Sequence, residues 1–173
     1  MLRQAVITDL DSIEEGYREH FAQERIHGAY TVFREGVYPT RKTAEAALQS
    51  GALFVYEENG AVLGSIILDS KQPDEYQTIE WQSGASDEEV NVIHLLMVRP
   101  RAAGKGVGSA LVGYALDVAK QRACIAVRLD TGEQNIPAVS LYTKLGFKLN
   151  AASSMNVGGA IFHGRHLFFE KIL

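Results

Sequence analysis

Between Val98 and Val112 the chain reads Val-Arg-Pro-Arg-Ala-Ala-Gly-Lys-Gly-Val-Gly-Ser-Ala-Leu-Val. An apolar run ends at Val98, glycines follow at Gly104, Gly106 and Gly108, and a helical pattern begins immediately afterwards. A glycine turn that opens a helix leaves main-chain N–H groups without acceptors. Together with the positive end of the helix dipole, such groups suit a diphosphate. The segment is therefore a candidate binding turn for a phosphate-bearing cofactor, with a plain strand-to-helix connector as the alternative. It is not a P-loop, because Lys105 stands between two glycines and no Gly-Lys-Ser/Thr follows. It also does not suit a dinucleotide fingerprint, since no strand–helix unit of the right kind precedes it.

A second segment, residues 135 to 147, reads Asn-Ile-Pro-Ala-Val-Ser-Leu-Tyr-Thr-Lys-Leu-Gly-Phe. Together the two segments resemble the GNAT acyl-CoA N-acyltransferase superfamily. The first is similar to its pyrophosphate motif, Gln/Arg-x-x-Gly-x-Gly/Ala, after a strand ending Leu-x-Val-x-Pro, here Leu96-Met97-Val98-Arg99-Pro100. The second is similar to its Asn-x-x-Ala-x-x-Leu-Tyr-x-x-x-Gly-Phe block, present as Asn135, Ala138, Leu141, Tyr142, Gly146 and Phe147. Counted from Pro100, the Gln/Arg position falls on Ala103. A shift of two residues would restore a literal Arg101-x-x-Gly104-x-Gly106, but the spacing from Pro100 and the place of Leu111 favour the Ala103 frame. Arg101 or Lys105 is then the side chain left to face the phosphates.

The resemblance implies direct transfer of an acetyl group from acetyl-CoA to a primary amine. The acceptor would be a small molecule or an amino-acid derivative. A protein or peptide N-terminus and a noncatalytic acyl-CoA-binding module are the alternatives. The chemistry needs a polarised thioester, removal of a proton from an ammonium of pKa about 10, attack distance, and a proton for the leaving thiolate. It needs no metal. The resemblance implies main-chain contacts to the pantetheine arm around Leu96, Met97 and Val98, with an N–H there as oxyanion donor. It implies a diphosphate cradle from Ala103, Gly104, Lys105, Gly106, Val107, Gly108 and Ser109. It places Asn135 on the pantetheine arm, and Ala138 where the helix must lie close to it. Tyr142 takes the place of the general acid, with a core tyrosine beside Val139 and Phe147 as the alternative.

His94 leads the candidates for general base. It lies four residues before Val98, so strand alternation predicts His94, Leu96 and Val98 on one face. A neutral imidazole can accept an ammonium proton near pH 7. A hydrogen-bonded structural histidine is the alternative. Glu80, beside Trp81, and Asp130, at the end of a predicted strand, are the competitors. The acceptor wall is expected from the first two helices and the last hairpin, a region that offers His20, His27, Tyr30, Phe33, Tyr38, Phe162 and His163.

These residues must be positioned by ordinary elements. Hydrophobic spacing predicts a strand at 2–7, a helix with Thr8, Asp9 and Asp11 as cap candidates running through Ile13 to about Glu24, and a second helix opened by Pro39-Thr40 and stopped by Gly51. A strand at 52–56, a turn at Glu58-Asn59-Gly60 and a strand at 62–68 read as a hairpin. Residues 69–77 read as loop, and 78–98 as one or two strands. A helix follows from Val107, then a strand at 125–129, a helix at 137–145, and strands at 149–155 and 161–170. The order β-α-α-β-β-β-α-β-α-β-β is that of an α/β (α+β) GNAT fold, a mixed central β-sheet flanked by helices, in one domain over 1–173.

The composition suits a small globular enzyme: 173 residues, 46% apolar and 22% charged. A net charge of −4 argues against a general nucleic-acid or membrane-surface role. Arg99, Arg101 and Lys105 are expected to make the phosphate turn locally positive all the same. The single cysteine, Cys124, precludes an internal disulfide and begins an apolar run, so it reads as a structural thiol in a reducing compartment. No run approaches the ~20 apolar residues of a membrane span, and the N-terminus lacks the shape of a signal peptide, so a cytoplasmic location is expected. Family habit implies a homodimer.

Overall fold

A computed structural model describes residues 1–173. The elements are β1 (Leu2–Gln4), α1 (Leu10–His27), α2 (Arg41–Gln49), β2 (Leu53–Glu58), β3 (Ala61–Asp69), β4 (Val90–Val98), α3 (Val107–Gln121), β5 (Ala126–Gly132), α4 (Ile136–Lys144), β6 (Lys148–Val157) and β7 (Ile161–Ile172). Their order is the expected one. The boundaries differ in several places. β1 is shorter, α1 starts after Asp9, one of the expected caps, and extends further at its C-terminal end, and the segment 78–98 holds one strand, preceded by 3-10 turns at Asp74–Thr78 and Asp87–Glu89. β5 continues through Asp130 to Gly132, so Asp130 lies inside the strand rather than at its end.

The sheet has seven strands in the order β1-β2-β3-β4-β5-β7-β6. Every neighbouring pair is antiparallel except β4 with β5. Two layers of helix cover it. On one face α3 buries Val107, Leu111, Val112, Ala115 and Ala119 against Phe54, Ile66, Leu68, Ile93 and Leu129. On the other, α1 presents Ile13, Tyr17 and Phe21 to Leu53, Val55, Ile67, Leu95 and Met97. The α1 stripe recurs at three- and four-residue intervals, but it also buries His20 and Glu24, polar groups that need partners. Gly64 permits close approach of α3: a Cβ there would lie 2.9 Å from Leu111 Cδ1 and from the Met97 carbonyl oxygen.

A third core lies beneath the C-terminal hairpin, where Tyr76, Val92, Met155, Val157, Ile161 and Phe168 pack together. The loop beside it is clamped by a buried ion pair. Arg128 Nε donates to Glu170 Oε2 at 2.9 Å, and Glu170 also accepts from Ser83 N and Ser83 Oγ, each at 2.7 Å. The Arg128 guanidinium stacks over Trp81, 4.5 Å from its ring centroid. Removing one partner of such a pair strands a buried charge, at a cost of about 3–5 kcal/mol.

Two irregularities of β4 shape the site. The first is a bulge. Ile67 pairs with Leu95 and Leu68 with Ile93, which leaves His94 as the extra residue. Ile93, Leu96 and Val98 therefore belong to the α3 face, although Ile93 and Leu96 are three residues apart. His94 instead joins Asp69, whose neighbour Leu68 points to the α3 core. The expectation of one face for His94, Leu96 and Val98 is thus corrected: the inserted residue resets the alternation and turns His94 to the α1 side. The second irregularity is a splay. β4 and β5 pair only from Val90–Ala126 to Ile93–Leu129, then separate. The last part of β4 is left with an open edge inside the sheet.

Candidate active site

The open edge has a definite hydrogen-bonding phase. Arg99 N donates to the Leu63 carbonyl at 2.9 Å. Antiparallel alternation then turns the main-chain groups of Met97 and Leu95 toward β3, and those of Leu96 and Val98 toward the gap. Leu96 and Val98 are free to pair with an extended amide-bearing chain as an added strand would. Met97 differs from its expected partners: its side chain is buried under α1 and its amide faces Ser65.

The turn after β4 supplies the other donors. Gly104 and Gly106 adopt left-handed φ values of 72° and 84°, and Gly106 caps α3. The N–H groups of Gly104, Gly106, Val107, Gly108 and Ser109 donate to nothing in the protein. The cradle is narrower than expected, because two of its amides are already engaged. Ala103 N donates to the Pro100 carbonyl at 3.1 Å and Lys105 N to the Ala102 carbonyl at 3.3 Å. Gly108 packs against α4, where a Cβ would lie 3.3 Å from Leu141 Cδ2.

The expected ring of cations is rearranged. Arg99 turns away to α1, where its Nε donates to Glu19 Oε2 at 2.8 Å and its second nitrogen pairs with Glu19 Oε1. Arg101 and Lys105 are exposed and neither lines the cleft. Its one lining cation is Lys144, at the end of α4.

From this turn a cleft of about 510 Å³ runs through the splay between β4 and β5. Its walls come from both faces of the sheet: Val107, Ala138, Leu141 and Tyr142 from one, His20, Tyr30, Thr31 and Phe33 from the other. Leu96, Val98 and Asn135 line it as well. Asn135 caps α4, its Oδ1 accepting from Ala138 N at 3.3 Å, so its amide nitrogen remains available. Tyr142 is only 5% exposed and packs against Phe147 and Phe169. Its hydroxyl has no hydrogen-bond partner in the protein, and the residue lines the cleft. Burial, and then the charge of Asp130, push this phenol well above its usual pKa. Tyr142 is thus held as a neutral O–H donor facing the cleft.

Two histidine–carboxylate pairs stand on the far wall. His94 Nε2 lies 2.7 Å from Asp69 Oδ1. Burial alone would raise the Asp69 carboxyl, but the hydrogen bond and charge of His94 hold it below the ordinary range. His166 Nδ1 lies 2.8 Å from Asp130 Oδ2, and Tyr76 donates its hydroxyl to Asp130 Oδ1 at 2.7 Å. A third histidine, His20, contacts Thr31 Oγ1 at 3.2 Å. Thr31 in turn donates to Glu24 Oε1 at 2.8 Å, so His20 Nε2 is the protonated nitrogen. Burial lowers the His20 pKa and keeps the ring neutral.

Residues 11–147 match the acetyltransferase (GNAT) family. The chain belongs to that family. An uncharacterized N-acetyltransferase of Methanocaldococcus jannaschii is 29% identical over 153 residues, which are 85% of this chain and 60% of that protein. A mycothiol acetyltransferase of Cellulomonas flavigena is 31% identical over 118 residues, 66% of this chain and 31% of that protein. The chain thus spans less than two thirds of either relative. A GNAT-family acetyltransferase structure from Streptococcus agalactiae superposes with a TM-score of 0.82 at 19% identity, covering 100% of this chain and 95% of that one. That likeness carries the fold.

Within this GNAT fold, several expectations are redistributed. Glu80 is exposed on a loop away from the cleft. His27 and Phe162 face solvent, Phe162 at 75% exposure. Tyr38 lines a neighbouring cleft, and His163 stands behind His166. Sequence reasoning missed Asp69, Tyr76, Lys144 and His166. His166 left a usable trace: His166, Phe168 and Glu170 alternate on one buried face of a strand, so its polar members demanded partners.

Proposed function

We propose that this chain transfers the acetyl group of acetyl-CoA directly to the amine of a small molecule. One observation carries the reading: unpartnered N–H groups at the start of α3 stand beside the open edge of β4, and Tyr142 faces the same cleft. The donors of Gly104, Gly106, Val107, Gly108 and Ser109 would hold the diphosphate. The main chain of Leu96 and Val98, with Asn135, would hold the pantetheine arm. Acetyl-CoA would supply the activated thioester. His94, anchored by Asp69, removes a proton from the arriving ammonium, so that nitrogen gains a lone pair. Tyr142 gives its proton to the departing sulfur.

The acceptor side favours a compact cation. A second cleft of about 460 Å³ meets the first at His94, Asp130 and Val157. Asp74 and Glu75 line it and no lysine or arginine does. The β6–β7 turn closes over this side: a Cβ on Gly158 would fall 2.3 Å from the Tyr38 ring. A turn packed on Tyr38 at this side favours a compact acceptor over an extended peptide, and the similar mycothiol acetyltransferase bears a small-molecule name.

The test is release of free CoA from acetyl-CoA over a panel of small amines, diamines and N-terminal peptides, with product mass determined. Turnover of small cationic amines is expected. Binding of acetyl-CoA without turnover on any member would instead indicate a noncatalytic module.

A further inference from the structure

We propose that His166, held by Asp130, is a second proton acceptor of the transfer, acting on the nitrogen as it bonds to the acetyl carbon. This rests on the transferase reading above.

His166 is 2% exposed, and its Nε2 is enclosed in the cleft wall with no partner in the protein. A buried polar atom left unpaired is destabilising, so such an atom asks for a use. His166 lines the same cleft as Tyr142 and Leu96. Its tautomer is fixed by the surroundings. Asp130 accepts from Tyr76 through Oδ1, so its Oδ2 is left to accept from His166 Nδ1–H. The lone pair then resides on Nε2, the atom without a partner. An acid behind a histidine orients the ring and stabilises the imidazolium once it forms.

Proton balance calls for two acceptors. An ammonium loses one proton before it can attack. After the C–N bond forms, the same nitrogen loses a second to become an amide. The C–S bond breaks, and the thiolate takes one proton from Tyr142. Net, one proton goes to solvent and one to sulfur. His94 stands where the two clefts meet, on the route of the incoming ammonium, with a quarter of its side chain exposed. That suits the first proton, which leaves to water. His166 is enclosed in the wall that Tyr142 also lines, which suits the second, passed on to the Tyr142 oxygen. The charges cooperate. Burial, and then the charge of Asp130, hold the Tyr142 phenol protonated, and a proton on His166 offsets that negative charge just as sulfur needs an acid. The titratable groups around His166 are Asp130 on β5, Tyr76 on the turn before β4, Tyr142 on α4, and His163 on its own strand with ring centroids 4.9 Å apart.

The test compares His94→Gln and His166→Gln at pH 9 with two acceptor sets: alkylamines of ammonium pKa about 10, and α-amino amides of pKa about 8 that arrive neutral. Each variant should lose about a hundredfold in kcat on alkylamines. The α-amino amides should restore His94→Gln to within about threefold of wild type and leave His166→Gln a hundredfold down. Calorimetric acetyl-CoA affinity reports whether each variant is folded. If His166→Gln does not fold, the 15N shifts of His166 in the wild type decide. An Nδ1–H tautomer supports the proposal, and an Nε2–H tautomer overturns it. A kcat within threefold of wild type, or rescue by α-amino amides, overturns the role of His166 alone. Wild-type protein that turns over no amine overturns the transferase reading and this role together.

Discussion

The donor and acceptor ends of the cleft are built in opposite ways. The proposed donor end is main chain: a strand edge at Leu96 and Val98 and the free amides of Gly104 and of Gly106 to Ser109, all from one stretch. The acceptor end is side chain: His20, Tyr30, His94, Asp130 and His166 come from α1, the following loop, β4, β5 and β7. A main-chain site recognises what every acyl-CoA shares and tolerates changes of side chain. A side-chain site is tuned by each residue on its wall. On the proposed reading, that difference would let the donor end tolerate alanine at 103 while the acceptor end would depend on its paired titratable groups.

Substitutions can break that contrast at its strongest point first. Tyr142→Phe removes the proton donor and should lower kcat by about 10²–10³-fold, with acetyl-CoA affinity nearly unchanged by calorimetry. An unchanged kcat would remove Tyr142 from the chemistry. Gly106→Val places a branched residue at a φ of 84°. A strain of about 1–2 kcal/mol should weaken CoA binding roughly tenfold. Removing cations should matter less. Lys144→Ala should weaken CoA binding a few-fold, because Lys144 lines the cleft, while Arg101→Ala and Lys105→Ala should each stay within about twofold. A larger loss at Lys105 would mean that side chains share the donor end after all.

The smallest effect concerns acid. Burial depresses the His20 pKa below its unfolded value near 6.5. The unfolded chain then binds the proton more readily, so the His20 contribution is fully present above the unfolded value and is lost as pH falls from there through the lower folded value. Thermal scans from pH 8 to pH 5 should show a falling Tm, and His20→Gln should flatten the decline. Hydrogen exchange at pH 5 should rise first at Tyr30 and Thr31, whose amides bond to Glu24 beside His20, and leave the α3 turn protected.

The donor end was legible because its causes are local. Glycines at 104, 106 and 108, a strand before them and a helix after them specify where free amides must lie, whatever packs around them. The order of elements followed from hydrophobic spacing in the same way. The sequence could not say which of those amides the turn would use for itself, and Ala103 and Lys105 were lost to it.

The remainder depended on contacts between distant residues. Pairing with β3 decided that His94 is a bulge, which turned it from the face expected by alternation to the side of Asp69, 25 residues away. Folding brought His166 to Asp130 across 36 residues and drew Arg99 to Glu19 across 80, taking one expected cation from the glycine turn and giving the cleft a second histidine–carboxylate pair. By itself the sequence determined the elements, the glycine turn and its free donors, because backbone geometry there depends on near neighbours. Strand register and the splay of β4 from β5 belong to the tertiary structure, because they are settled by the whole sheet and decide which side chains share a cleft.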